Sequence, residues 1–467
     1  MATSAAYVAA TGRGDSVSGV GYLSPQTYHY WRGTSQVSEP YEAFVPHRIA
    51  GWAPHPDRGT LSRLGAADAH SRALLQQVRQ SPALSWCLNR TEAISSSSVE
   101  GIRTTLRSLS LLESMRAHRS PPRAEADRQA LGNARLNAFA VDAGRRRPAA
   151  VTVADVTEMH RRLFAATAQQ STAGWLRSEQ NWIGRRGERT PARAHFVPPP
   201  PELTEPLLAD TMEYVSDPPW LPALAKAAIT HLQFETIHPF DDGNGRVGRA
   251  LMHCVLHRDV ALPMPLPLSA AIDARREEYY AALRPYQTCI GDASSEERSQ
   301  AACETIRYIA DAATVACHYV QVTAQVIADM ERSWADLGLR SDSAAAAILK
   351  DMSTMPAAGV AYLHEATGRS PRAVRRAVAT LSARGALLET VDDATGRRVF
   401  ELPQMLRIVD QRHDLLDDCW DLHMSGAPHV VSEALARFAT DAATGRRPVT
   451  GRPSTNGGDL SSHEQRP

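Results

Sequence analysis

His238-Pro239-Phe240-Asp241-Asp242-Gly243-Asn244-Gly245-Arg246-Val247-Gly248-Arg249 reads as a loop entering a helix. From Val247 onward, Val247, Ala250, Leu251, Cys254 and Val255 fall at i, i+3, i+4, i+7 and i+8, the spacing of a buried helix face. Just before that face, Gly243-Asn244-Gly245 lets consecutive backbone N–H groups converge into an anion nest. The helix N-terminus behind it adds roughly half a positive charge and free donors. Arg246 and Arg249, three residues apart, lie on neighbouring turns of one face and can clamp a polyphosphate with planar forks of donors. Asp242 beside the nest is a hard carboxylate of the kind that shares Mg²⁺ with a nucleotide. His238, with an ordinary pKa near ~6.5, can take a proton from a hydroxyl at neutral pH. Pro239 stiffens the loop and Phe240 anchors it. Taken singly these features are ordinary: a Gly-x-Gly is often a turn, a lone His at a helix end is usually structural, and Asp beside Gly is a turn pair. Their joint order is the inventory for holding a nucleotide polyphosphate beside a nucleophile. No strand precedes the glycines and no Gly-Lys-Ser/Thr follows, which argues against a P-loop or a dinucleotide fold.

Outward from this segment the pattern stays helical. Leu224, Ala228 and Leu232 mark a helix over 220–236 that leads into the loop. Helices are also expected over 125–143, 153–167 and 203–215. Residues 60–92 carry Leu61, Leu64, Leu74, Leu75 and Val78 at helical spacing. Two stretches depart from this period. Trp182-Ile183-Gly184 and His195-Phe196-Val197 read as short strands around a Gly/Arg-rich turn, stopped by Pro198 to Pro201. Such a hairpin would present an open edge to another chain. Residues 341–403 form a separate unit: two helices, then a third capped by Ser370 with Pro371 at its first position. Two strands, Leu387–Val391 and Arg397–Glu401, follow around Asp392-Asp393-Ala394-Thr395-Gly396. Three helices and a hairpin describe a winged helix-turn-helix. The Gly/Ser/Thr-rich residues 1–38 and the tail 441–467 are expected to lack fixed structure.

The 51 basic and 51 acidic residues cancel, so global charge points to no polyanionic partner and only local patches can. The six cysteines show no paired Cys-x-x-Cys spacing, which argues against a zinc site or a disulfide framework and fits a cytoplasmic protein. No apolar run reaches the ~20 residues that span a membrane.

His238 to Arg249 fit His-Pro-Phe-x-(Asp/Glu)-Gly-Asn-Gly-Arg-x-x-Arg without a mismatch, and this resembles the signature of the Fic domain family. The resemblance covers roughly residues 40–290. It implies a mainly α fold: a helical bundle with a β-hairpin flap, here followed by the winged unit. It also implies transfer of AMP from ATP to a Ser, Thr or Tyr hydroxyl of a target protein, with Mg²⁺ as cofactor. On that footing His238 is the base, Asp242 holds the metal, and Gly243, Asn244, Gly245, Arg246, Gly248 and Arg249 receive the phosphates. Trp182, Ile183, Phe196 and Val197 form a flap that holds the target segment. Tyr279 and Tyr280 resemble an aromatic pair lining the base pocket, with helix packing the alternative. Gly245 favours nucleotidyl transfer over the kinase chemistry of relatives that lack it.

Upstream, Ser95-Ser96-Ser97-Ser98-Val99-Glu100-Gly101 resembles the inhibitory motif of this family, with Ser96 and Glu100 in the key positions. A carboxylate that reached Arg249 first would occupy the place of the γ-phosphate as a charge-assisted pair. Displacing a buried partner can cost ~3–5 kcal/mol, about two to three decades in rate. In some relatives the same glutamate helps to remove AMP, so the reverse reaction stays open. A nucleotide-sensing DNA-binding regulator is the other reading. Arg372, Arg375 and Arg376 on the third winged helix and Arg397 and Arg398 on the wing could meet DNA, or be a solvated face. A second copy of the chain is a further expected partner, because relatives often dimerise. The expected division is 1–38, an N-terminal helical region 39–124 with the inhibitory motif, a catalytic core 125–295, a connecting helix 296–340, the winged unit 341–403, a helical segment 404–440, and the tail 441–467.

Overall fold

The computed structural model describes residues 20–425 apart from 115–124, 147, 185–188, 218–220, 261, 263 and 291–294. The tail 441–467 and the end of the 404–440 segment therefore lie outside the described residues. The chain opens with β1 (Gly21–Arg32) and β2 (Ser35–Pro46), an antiparallel hairpin in register from Gly21↔Pro46 to Arg32↔Ser35. This corrects the expectation for residues 1–38: from Gly21 onward they are ordered strand, and 1–19 lie outside the described residues. The composition hid a period of two. Ser24, Gln26, Tyr28 and Tyr30 are half-buried while Pro25, Thr27, His29 and Trp31 are exposed.

Helices follow: α1 (Arg58–Gln77), α2 (Pro82–Val99) and α3 (Leu106–Ser114). The periodic stretch 60–92 is two helices, because Ser81 caps a fresh start and accepts the Leu84 N–H, with Pro82 at the first position. Next come α4 (Glu125–Arg145), α5 (Val153–Phe164), α6 (Pro201–Ser216), α7 (Ala223–Ile237) and α8 (Asn244–Asp259). A capping box between Thr152 and Asp155 starts α5. All residues of α7 from Leu224 to Ile237 are buried, as are all of α8 from Arg246 to Arg258. These two helices, with α4 packed on α8, form the centre of the bundle. Then come α9 (Leu268–Ala274), α10 (Arg276–Thr288) and the 39-residue α11 (Ser295–Ser333), which packs along α1 and α7.

The C-terminal unit consists of α12 (Ala344–Met352), β3 (Ala357–Ala358), α13 (Val360–Thr367), α14 (Pro371–Ala383), β4 (Leu388–Asp392) and β5 (Arg397–Glu401). The strands form an antiparallel sheet in the order β3-β5-β4. Helices and wing follow the expected order, and β3 is an addition too short to read from a pattern. Ser370 caps α14, and Val374, Ala377, Val378 and Leu381 are its buried face. α15 (Pro403–Asp410) and α16 (Arg412–Ser425) return to the bundle. There the Trp420 indole N–H donates to the Ala271 carbonyl at 3.0 Å, and the Tyr319 hydroxyl donates to the Ile408 carbonyl at 3.1 Å.

The fold is thus mainly α, a helical bundle with an N-terminal β-hairpin and a winged-helix-like extension. The two strands expected near 182–184 and 195–197 reduce to one bridge, Ile183↔Phe196. Nor is their edge open along its length: the Phe44 N–H of β2 donates to the Val197 carbonyl at 2.8 Å. No helix among the described residues is long and apolar enough to cross a membrane.

Candidate active site

α7 ends at His238, which adopts a left-handed conformation (φ 49°, ψ 62°) and donates its N–H to the Phe234 carbonyl at 2.9 Å. It is the one non-glycine residue with positive φ among the described residues. A side chain in that region costs about 1–2 kcal/mol, so the surroundings must impose it. Buried Arg177 supplies much of that restraint. Its Nε donates to the His238 carbonyl at 2.9 Å, its backbone N–H donates to the Pro239 carbonyl at 3.0 Å, and its guanidinium also reaches the Pro199 carbonyl. Burial pulls the Arg177 pKa down to about 10, which leaves it charged at neutral pH.

The rest of the loop is fixed from α5 and α8. His160 stacks on Phe240 with ring centroids 3.9 Å apart. Its Nδ1 accepts the Gly174 N–H at 2.8 Å, so its proton sits on Nε2, which donates to the Asp242 carbonyl at 3.0 Å. Burial holds the His160 pKa down to about 4, so the ring is neutral. The Asn244 side chain is spent on the loop: its Oδ1 accepts the Phe240 N–H at 2.9 Å and its Nδ2 donates to the Phe240 carbonyl at 2.7 Å. What Asn244 can offer an anion is its backbone. Gly243, with φ 82°, is the N-cap of α8 and, having no side chain, brings no cap of its own to the donors of the first turn.

Above that helix end lies a carboxylate. The serine run forms the last turn of α2, and Glu100 is its C-cap. The Glu100 Oε1 accepts from Arg249 Nη2 at 2.7 Å. A Cβ added to Gly245 would lie 2.1 Å from that oxygen, so only glycine admits the carboxylate this close to the backbone. Ser96 completes the grip. Its hydroxyl accepts from Arg249 Nε at 3.1 Å and its carbonyl from Nη2 at 2.7 Å. Burial opposes the charge of Arg249, but Glu100, with Tyr279 and Glu235 behind it, holds its pKa well above the usual arginine value. A carboxylate at the C-terminus of α2 opposes that helix's dipole; the N-terminus of α8 and Arg249 compensate.

α2 is itself anchored. The buried Glu92 carboxylate accepts the Ser269 N–H at 2.8 Å and lies 3.0 Å from His253 Nε2. Asn133 Nδ2 donates to the Ala93 carbonyl at 3.0 Å, and Arg412 Nε donates to the Ser95 hydroxyl at 2.7 Å.

Arg246 is buried over the Phe164 ring. It donates to Gln129 Oε1 at 2.9 Å and to Asp242 Oδ1 at 3.1 Å. The Asp242 side chain is 35 % exposed, so this carboxylate also faces solvent. No group of three or more His, Cys, Asp or Glu able to hold a metal occurs among the described residues. A half-buried carboxylate such as Asp242 beside a helix N-terminus fits Mg²⁺ that arrives with phosphate oxygens and keeps its waters, rather than a metal bound by protein alone.

Gly248 faces α7: a Cβ there would come within 2.8 Å of Glu235 Oε1 and 3.0 Å of His231 Nδ1. Its place is at a helix crossing. The two tyrosines part company. Tyr279 is 1 % exposed and its hydroxyl lies 2.7 Å from His231 Nε2, an interior packing position. Tyr280 is half-buried beside the end of α2, its hydroxyl 3.4 Å from the Val99 carbonyl. At the flap, Trp182 is buried edge-on to Tyr28 (centroids 5.4 Å), and Phe196 lies against Phe44 (5.8 Å). Arg177, His160 and Gln129 escaped the sequence reading because each acts through contacts 61 to 117 positions away.

Residues 150–256 match the family model described as Fic/DOC family. The chain carries a Fic/DOC family domain. The Fic domain region is also similar to the protein adenylyltransferase fic-1 of Caenorhabditis elegans, 33 % identical over 135 residues, 28 % of this chain and 23 % of that protein. A probable protein adenylyltransferase of Aquifex aeolicus is 36 % identical over 91 residues, 20 % of this chain and 26 % of that one. The chain therefore spans about a quarter of the length of these curated relatives. Among solved structures, a Fic family protein from Desulfovibrio desulfuricans G20 aligns over 75 % of this chain and 98 % of its own, at 20 % identity and a TM-score of 0.43.

Proposed function

We propose that this chain transfers AMP from ATP to a hydroxyl side chain of a protein target and is held back by its own Glu100. The observation that carries the reading is the anion already seated at the N-terminus of α8, where Glu100 pairs with Arg249 over Gly245. A site that holds a carboxylate with a helix end and a buried guanidinium has the donors for a terminal phosphate. Arg246 and Arg249 bind the β and γ phosphates, and the N–H groups of the first turn of α8 receive their oxygens. Asp242 is the residue that would hold Mg²⁺, which supplies charge neutralisation on the phosphates when bound.

In the reaction the target hydroxyl oxygen attacks the α-phosphorus of ATP. The new P–O bond forms as the bond to pyrophosphate breaks, and the hydroxyl proton passes to the imidazole of His238. Arg177 keeps His238 in its left-handed pose, which sets the direction of the ring. With Glu100 in place the γ-phosphate loses Arg249, and ATP binds misaligned for in-line attack.

The test is incubation with Mg²⁺ and α-labelled ATP. Glu100→Gly is expected to raise label on protein by about two to three decades over the wild type, the equivalent of a ~3–4 kcal/mol restraint. Adding His238→Ala is expected to abolish it. Unchanged labelling in Glu100→Gly would overturn the restraint; labelling that survives His238→Ala would overturn the base.

A further inference from the structure

We infer that the winged unit binds duplex DNA through a phosphate site between α14, the wing and α3. A cavity of about 440 Å³ lies there, lined by Arg375 of α14, Arg397 and Arg398 of β5, Val360 and Ala361 of α13, and Ser114 at the end of α3. The N-terminus of α13 is capped by Gly359 with no side-chain hydrogen bond, so its first-turn donors border a space walled by three guanidinium groups. Arg372 and Arg376 are exposed on the same face of α14, opposite buried Val374, Ala377, Val378 and Leu381. Asp342, Glu365, Glu389 and Asp393 are the exposed acidic residues of the winged unit, and half-buried Glu113 lies near Tyr362 of the cavity wall. Only Glu389 pairs with one of the five arginines among the described residues, Arg398 at 3.0 Å.

The arrangement is extended rather than pointlike. α14 has 13 residues, roughly 20 Å of exposed helix. That length and width suit a major groove about 12 Å across. The β4–β5 wing then stands over the adjoining phosphates, with Arg397 and Arg398 exposed on it. A DNA strand in the cavity would also touch α3. That helix is tied to the winged unit by Arg107, which donates to Glu401 Oε1 at 2.6 Å and to the Val391 carbonyl at 3.2 Å. It begins at Leu106, five residues beyond Gly101, across a short loop from Glu100.

The experiment measures fluorescence anisotropy of a short labelled duplex with the full chain and needs no transferase activity. Saturable binding at about 50 mM salt that weakens steeply as salt rises is expected. Arg375→Ala with Arg397→Ala should weaken binding at least about tenfold and lower the log–log salt slope by about 2. Ala361→Glu, which places a carboxylate at the exposed rim of the cavity, should also weaken it, whereas Arg332→Ala on α11 should not. Thermal melts of the variants check that each is folded. The inference is overturned by no binding at low salt or by unchanged affinity in the cavity variants. It is equally overturned if inorganic phosphate at constant ionic strength, or a polyglutamate peptide, displaces the duplex as well as unlabelled DNA does.

Discussion

At Arg249 the guanidinium is 1 % exposed and its ion-pair partner is Glu100, whose side chain is 28 % exposed. Its other contacts are the neutral hydroxyl and carbonyl of Ser96. Removing that carboxylate leaves the buried guanidinium without its contacting anion, with only Glu235 farther off, a loss on the order of 3 kcal/mol. Glu100→Gly should therefore unfold at lower urea than the wild type without nucleotide. ATP at about 100 times its Kd should return about 2.7 kcal/mol to the variant, and less to a wild type whose site is already filled. Equal midpoints without ATP would show that Ser96 and the more distant Glu235 suffice for Arg249. On the proposed function, the restraint and the stability of this protein share one ion pair.

At the scale of elements, the hairpin β1–β2 and the flap are one surface. Phe44 is 3 % exposed, packs on Phe196, and donates its N–H to Val197. On the proposed function the flap holds the target segment, while ATP is held by α8 and its preceding loop. Phe44→Ala should then raise KM for the protein target about tenfold or more, with KM for ATP and turnover at saturating target nearly unchanged. Truncating a buried Phe also costs ~3–5 kcal/mol of packing, so the melt of the variant must be followed alongside. A parallel rise in KM for ATP would mean that the hairpin supports the whole site.

Across the molecule, burial holds His160 and His257 down to about 4, His231 down to about 3 and His318 down to about 4. These groups are neutral in the fold and titrate near 6.5 when unfolded. Above pH 6.5 both states are neutral and nothing is lost. Between 6.5 and about 4 the unfolded chain binds protons that the native chain refuses, so stability falls as pH falls. Each histidine contributes on the order of 2–3 kcal/mol to that decline. Asp351, which burial pushes up to about 6, works in the opposite sense and offsets a part. The urea midpoint should drop steadily from pH 6.5 to pH 4. A midpoint that stays level across this window would mean that the buried imidazoles accept protons in place.

The loop from His238 to Arg249 was legible as a loop entering a helix because its signals are local: histidine, carboxylates, glycines and arginines lie within one short segment, and helix period fixes their faces. The helices around it were legible for the same reason, through apolar spacing and through caps such as Ser370. Residues 21–38 were not, because a strand's period of two is faint when polar Ser24 and Gln26 sit on its half-buried face and Trp31 on its exposed one. Nor could spacing separate Gly245, pressed against a carboxylate, from Gly248, pressed against α7, since only the crossing of helices tells which backbone is approached. The same holds for Tyr279 and Tyr280, adjacent in sequence and divided by burial. The order of residues along the chain was enough to put a histidine, carboxylates, glycines and two arginines into one loop and one helix turn. That Glu100, 149 positions away, meets Arg249 follows from packing, because the contact depends on Glu92, Asn133 and Arg412 fixing α2 in the bundle beside α8.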